Sequence, residues 1–256
     1  MWNDLSALTL VVCICTALLA GFVDAVAGGG GLIQLPVMLA VFPHNSLAAV
    51  SGTNKSISIV GTSVAARTYA KQIPLERRHV LPMALCAFIG SALGAHLITK
   101  VDRAAFEPIL LIVLISVGMF TLFRPEFGRT PSHEVRGPLS ASVFGAGIGF
   151  YDGIMGPGTG MFLVFGLVAF IGFDFLKGSA SAKFVNVATN LAALMIFIPT
   201  HNVMWLVTAF MAPANMLGGY LGAHTALKRG SLFVRLVFLG VQALLIVRLI
   251  VSVTSH

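Results

Sequence analysis

Residues 21–42 read GFVDAVAGGGGLIQLPVMLAVF, and residues 149–170 read GFYDGIMGPGTGMFLVFGLVAF. The two stretches lie 128 positions apart, half of the 256-residue chain. The frame continues without a gap: SGTNKS at 51–56 meets SASAKF at 179–184. Gly21, Phe22, Asp24, Gly28, Gly30, Ser51 and Lys55 thus align with Gly149, Phe150, Asp152, Gly156, Gly158, Ser179 and Lys183. Further on, Gly90, Gly94 and His96 meet Gly218, Gly222 and His224. An internal duplication on this scale sets the architecture, because both halves must form the same elements. The halves are 1–128 and 129–256, two repeats of one integral membrane domain.

The membrane reading comes from composition. The chain is 57% hydrophobic and 10% charged, with mean hydropathy +0.94. A soluble domain carries about 25% charged residues. The net charge of +7 does not point to nucleic acid, since the Lys and Arg residues sit mainly in short loops between apolar runs, where they orient a membrane protein. Cys13, Cys15 and Cys86 lie inside apolar runs and read as packing residues. They form no disulfide or zinc pattern, and no cofactor is expected. The N-terminal MWNDLSAL has no basic region before its apolar run and reads as the start of a first membrane helix.

Apolar segments fall at 5–27, 32–42, 47–70, 80–98 and 105–123, then at 139–155, 160–173, 178–199, 203–226 and 232–252. A crossing of the hydrocarbon core takes roughly 20 residues. Segments 32–42 and 160–173 are too short, and each follows a glycine-rich run, Gly28–Gly31 or Gly156–Gly160. Glycine and proline disfavour helix there, so each run predicts a broken or re-entrant helix. The expected fold is all-α, with about eight full transmembrane helices plus short half-helices. Five passages per half is an odd number, so the second half enters the membrane inverted, as in many secondary transporters. Lys71, Arg77, Arg78, Arg124, Arg129, Arg136, Lys177, Lys228 and Arg229 then share one side. The positive-inside rule makes that side cytoplasmic, with the linker 124–138 inside and both termini periplasmic or extracellular.

Lys55 and Lys183 lie early in long apolar helices. A lysine at the bilayer centre costs about 2.5–3.5 kcal/mol on insertion scales. Two readings explain the pair: partners for Asp24 or Asp152, or cations for an anionic substrate. Ser51, Lys55, Ser58 and Thr62 share one helix face, and their counterparts are Ser179, Lys183, Asn186 and Asn190. Such stripes line a cavity or bind helices together. Thr53 and Asn54 add donors at the same level. Helices restarting after Gly28, Gly30 and Gly31, or after Gly156, Gly158 and Gly160, would offer free N–H groups and positive dipole ends to an anion. Asp24 and Asp152 are candidates for lysine pairing, for proton uptake coupled to transport, or for capping the broken helices.

The paired GF-x-D-x-x-x-G-x-G motifs and paired lysine motifs resemble the sulfite exporter TauE/SafE family of bacterial membrane proteins, over nearly the whole chain. It is most like members known only as probable membrane transporters. The resemblance implies a bacterial inner membrane, and transport of sulfur oxyanions such as sulfite, or of organosulfonates, without ATP hydrolysis. Its motif residues fall on Asp24, Gly28, Gly30, Asn54 and Lys55, and on Asp152, Gly156, Gly158, Lys183 and Asn186. Pro157 stands where perfect repetition would place glycine, and Ala182 stands opposite Asn54, so the half-sites are unequal. The expected function is secondary transport of a small anion, with export the favoured direction. The alternatives are an importer or carrier of other organic anions, a structural membrane subunit, or a membrane-embedded enzyme. The motif G-x-x-x-x-G-K-[ST] is absent and no catalytic constellation stands out, so the chain reads as a non-enzyme. The expected partners are the anion and the lipid bilayer, not nucleic acid.

Overall fold

The computed structural model describes residues 7–98 and 137–254. The predicted segment 105–123, nearly all of the predicted linker 124–138, Lys100 and Arg103 lie outside the described residues. Among those described there are eight helices: α1 Ala7–Ala27, α2 Gly30–Val41, α3 Leu47–Ala70, α4 Arg77–Leu97, α5 Pro138–Ile154, α6 Thr159–Ile171, α7 Phe175–Phe197 and α8 Trp205–Thr254. Gly230 (φ 77°) is non-helical and divides α8 into 205–229 and 231–254.

The elements recur with the sequence frame. Helices α3 and α7 begin at Leu47 and Phe175, and α4 and α8 begin at Arg77 and Trp205, each pair 128 residues apart. Their caps recur too. Ser46 Oγ accepts from Ala49 N, and at the equivalent position Asp174 Oδ1 accepts from Lys177 N. Helices α4 and α7 start three residues before the apolar runs that predict them at 80 and 178. Arg77, Arg78 and His79 of α4, and Lys177 and Gly178 of α7, interrupt the apolar pattern without interrupting the helix.

Helices α1, α4 and α7 are long and apolar enough to cross a membrane. Helix α3 is 24 residues long but less apolar, because Ser51, Thr53, Asn54, Lys55, Ser56 and Thr62 are buried in the protein. The outside shows the reverse pattern. Leu81, Leu85, Ile89 and Leu93 form an exposed apolar stripe on α4, while Ala87, Gly90, Ser91, Gly94 and Ala95 face inward. An apolar exterior over a small, partly polar interior is what a lipid solvent selects.

The halves pack reciprocally. Helix α4 lies along α5, and the first part of α8 lies along α1. A side chain at Gly90 or Gly94 would strike the Ala146 or Phe150 carbonyl. At the equivalent Gly218 and Gly222 it would strike those of Leu18 and Phe22. These are close small-residue helix contacts, where a methyl group would part the backbones. The central helices meet end for end. Gly52, early in α3, packs on Phe197 and Asn202, at and beyond the end of α7. Tyr69, late in α3, and Ser179, early in α7, both donate to the Ala25 carbonyl.

Three basic segments gather at one end. Lys177 Nζ sits 3.1 Å from Glu76 Oε2, beside Arg77 and Arg78. Phe175 N donates to Ser231 Oγ at 3.0 Å, which brings the turn carrying Lys228 and Arg229 to the same end.

Candidate functional site

The site forms where two helix breaks meet. Helix α1 stops at Ala27 and α5 stops at Ile154. The chain then takes a positive φ at two equivalent glycines, Gly28 (83°) and Gly156 (80°). Only glycine enters that region without strain. The breaks touch through backbone: Gly28 lies directly on Gly160, and Gly31 faces Pro157. Tyr151 Oη donates to the Pro157 carbonyl at 2.5 Å, and Thr159 Oγ1 to the Gly156 carbonyl at 2.8 Å, which pins the second loop. Neither α2 nor α6 has a side-chain N-cap. Both helices begin at the junction, which places their positive dipole ends there.

Both lysines are ion-paired, and the pairing crosses between the halves. Lys55 Nζ is 2.6 Å from Asp152 Oδ2 and Lys183 Nζ is 2.9 Å from Asp24 Oδ2. The two pairs differ. Lys183 is fully buried and also donates to the Asp24 main-chain carbonyl. Asp24 Oδ2 further accepts from Thr62 Oγ1 at 3.3 Å. Asp152 Oδ2 is buried and, among the described residues, has no partner besides the Lys55 ammonium. Two lysines and two aspartates make the empty centre formally neutral, which limits the cost of burying four charges.

Beside these pairs lies a small polar cavity between α3, α7 and the two breaks. It leaves about 30 Å³ for the centres of water molecules, room for about two or three waters. Most of the predicted site residues line it. Helix α3 contributes Asn54, Lys55 and Ser58, and α7 contributes Asn186 and Asn190. The breaks contribute Gly28, Gly31, Gly156, Gly158 and Gly160, with Asp24 and Asp152 at the walls.

Three predicted residues stand back from this cavity. Lys183 is sealed on Asp24, Ser51 is buried along α3, and Gly30 packs on the Ala20 carbonyl and the Asp24 side chain. Two residues outside the predicted set join the lining, Thr62 and Thr159. Thr62 lay on the polar stripe of α3, whereas Thr159 sat inside the glycine run without a periodic signal. Among the described residues, no group of three or more His, Cys, Asp or Glu side chains is arranged to hold a metal.

An ammonium, amide groups, hydroxyls and two helix N-termini around a water-sized space suit a small oxyanion, whose lost hydration they would replace. Comparison with known proteins points to a membrane transporter. The family model described as sulfite exporter TauE/SafE matches residues 13–249. A probable membrane transporter protein, ORF9 of Sinorhizobium sp, is 34% identical over 255 residues, 98% of this chain and 96% of that one. A probable membrane transporter protein of Haemophilus influenzae is 33% identical over 236 residues, 91% of each chain. The probable membrane transporter protein YfcA of Escherichia coli K12 is 33% identical over 254 residues, 96% of this chain and 91% of that one. No solved structure matches the chain.

Proposed function

This chain belongs to the sulfite exporter TauE/SafE family of membrane transporters, and from that premise we propose that it is a secondary transporter of a small anion. The substrate class is a sulfur oxyanion such as sulfite, or an organosulfonate, moved out of the bacterial cell across the inner membrane. One observation carries the reading: Lys55, ion-paired with Asp152 of the other half, borders a polar cavity closed by two helix breaks. A buried cation kept neutral by a displaceable carboxylate is a poised anion site. The incoming anion takes the place of Asp152 at Lys55. Asn54, Ser58, Asn186 and Asn190 supply further hydrogen bonds, and the first turns of α2 and α6 supply N–H groups. Lys183 holds the second half-site closed on Asp24 in this conformation.

The halves 1–128 and 129–256 form an inverted repeat, and α2 and α6 are re-entrant half-helices. The meeting of the start of α3 with the end of α7, and of the end of α3 with the start of α7, supports the inversion. So do the lengths of α2 and α6, 12 and 13 residues, each too short for an untilted crossing. The basic end carrying 71–78, Lys177, Lys228 and Arg229 is cytoplasmic, which leaves both termini outside. Rocking of one repeat against the other would open the cavity to each side in turn.

The test is flux into proteoliposomes made with the purified chain alone, using radiolabelled sulfite, sulfate, methanesulfonate and acetate. A transporter moves at least one of these without a partner, and Lys55→Met abolishes that flux. A structural subunit moves none of them.

A further inference from the structure

Behind Asn54, away from the cavity, runs a buried chain of three amides. Asn215 Nδ2, on α8, donates to the Ala17 carbonyl at 3.1 Å and to Gln34 Oε1 at 3.0 Å. Gln34 Nε2, on α2, donates to Asn54 Oδ1 at 2.8 Å. Gln34, Asn54 and Asn215 are 1%, 5% and 4% exposed, so water does not compete with these bonds. Neither Gln34 nor Asn215 lines the cavity, whereas Asn54 does.

The direction of this chain is dictated from one end. A backbone carbonyl can only accept, so the Asn215 atom against Ala17 must be its nitrogen. An amide nitrogen has two hydrogens, and the second reaches Gln34, whose facing atom must then be oxygen. That turns the Gln34 nitrogen toward Asn54, whose facing atom must in turn be oxygen. The remaining end of Asn54, its N–H donor group, is left toward the cavity. Buried amides of this kind are costly to reverse, because a flip leaves two like groups facing each other.

The duplication supplies a control. The counterparts of Gln34, Asn54 and Asn215 are Phe162, Ala182 and Ala87. The second half packs its equivalent helices without any such chain, so the fold itself does not require it. The donor is present on one side only, next in sequence to Lys55.

We propose that Gln34 and Asn215 are positioning residues that fix Asn54 as a hydrogen-bond donor toward the anion, so that the site favours an oxyanion presenting an unprotonated oxygen there. The proposal rests on the anion-site reading above. Amide orientation does not vary with pH, so the preference is built in rather than switched. The anion sits off the repeat axis, toward α3, where charge and donor come from adjacent residues.

The experiment is a double-variant cycle, read as methanesulfonate and sulfite affinity of the purified full chain, with thermal unfolding in detergent as the folding check. Asn54→Ala removes the donor and lowers affinity about tenfold or more. Asn215→Asp, read at a pH where its carboxylate is ionised, can only accept, so it draws the Gln34 nitrogen away and reverses Asn54; it should cost as much as Asn54→Ala. In the Asn54→Ala background, Asn215→Asp should cost little more. If Asn215→Asp fails to fold, Gln34→Met replaces it, with a few-fold loss in the parent and none in the Asn54→Ala background. Multiplying losses, or no loss from changes at 34 and 215 while Asn54→Ala weakens binding, would overturn the relay and leave the anion site standing. If the unaltered chain binds none of sulfite, sulfate or methanesulfonate, the anion reading falls and the relay proposal falls with it.

Discussion

Lys55 on α3 and Asp152 on α5 come from opposite halves of the duplication, and their Nζ and Oδ2 atoms stand 2.6 Å apart beside the polar cavity. The equivalent pair, Lys183 with Asp24, is held by an additional main-chain carbonyl and by Thr62. The two equivalent pairs are thus held unequally. On the proposed function the first is the pair that an anion opens, and the second is a clasp between the halves.

Removing one partner of a buried pair strands a charge, at a cost of about 3–5 kcal/mol. Lys183→Met is therefore expected to unfold far below the unaltered chain in a detergent melt, and Lys183→Met with Asp24→Asn should regain most of the loss. The double change Lys55→Met with Asp152→Asn should likewise restore stability. It should not restore anion binding, which loses about ten- to a hundred-fold with the charge-assisted contact. Binding that recovers in this double variant would make Lys55 a structural residue. Lys55→Arg keeps charge with a different shape and should fall between the parent and Lys55→Met.

At the crossing of the breaks, a methyl group on Gly28 would run into the Gly160 backbone, and φ there is 83°. At Gly31, three residues on, the same methyl would rest 3.4 Å from Pro157 Cα, an ordinary van der Waals contact. Gly28→Ala should therefore destabilise on the order of 1–3 kcal/mol, from overpacking added to backbone strain. Gly31→Ala should cost clearly less in the same melting assay. Equal costs would mean that the breaks do not cross as described.

Much of this arrangement was legible in the chain itself. Glycine runs marked both breaks, because no other residue takes the positive φ at Gly28 and Gly156 so readily. The polar stripe Ser51, Lys55, Ser58 and Thr62, and its counterpart Ser179, Lys183, Asn186 and Asn190, pointed inward because lipid leaves such groups no other place. Partner choice was not legible. Pairing of Lys55 with Asp152 rather than Asp24 depends on how the halves dock, which no local pattern encodes. Gln34 and Asn215 were also invisible, since a single amide in an apolar helix has no period. The start of α7 at Phe175 was hidden because Asp174, Lys177 and Gly178 interrupt the apolar pattern there, although Asp174 caps the helix.

The orientation can be checked at two exposed turns on opposite ends of the helices. Gln72 follows α3 at the basic end, and His201 follows α7 at the other. With Cys13, Cys15 and Cys86 replaced, His201→Cys should react with an impermeant thiol reagent added to intact cells. Gln72→Cys should react only after the membrane is permeabilised. The opposite labelling would reverse the assignment of cytoplasmic and outer faces.

Charge balance makes the last prediction. The empty centre holds two lysines and two aspartates and is formally neutral. An anion that takes Lys55 from Asp152 leaves the centre with excess negative charge. Coulomb repulsion there is stronger than in bulk water, because Lys55, Asp152 and Lys183 are buried in the protein. Uptake of one proton by the displaced carboxylate restores neutrality for a monoanion. Anion and proton then travel together, so at clamped voltage an imposed pH gradient should drive anion flux toward the alkaline compartment, and export from a cell with an alkaline interior would run on the anion's own outward gradient. Asp152→Asn cannot take up that proton, and in this variant any flux that survives should lose its response to the gradient while still following the anion gradient. Flux in the unaltered chain that ignores a pH gradient would rule out proton coupling through Asp152, and the excess charge would then have to be balanced by the positive ends of α2 and α6 alone.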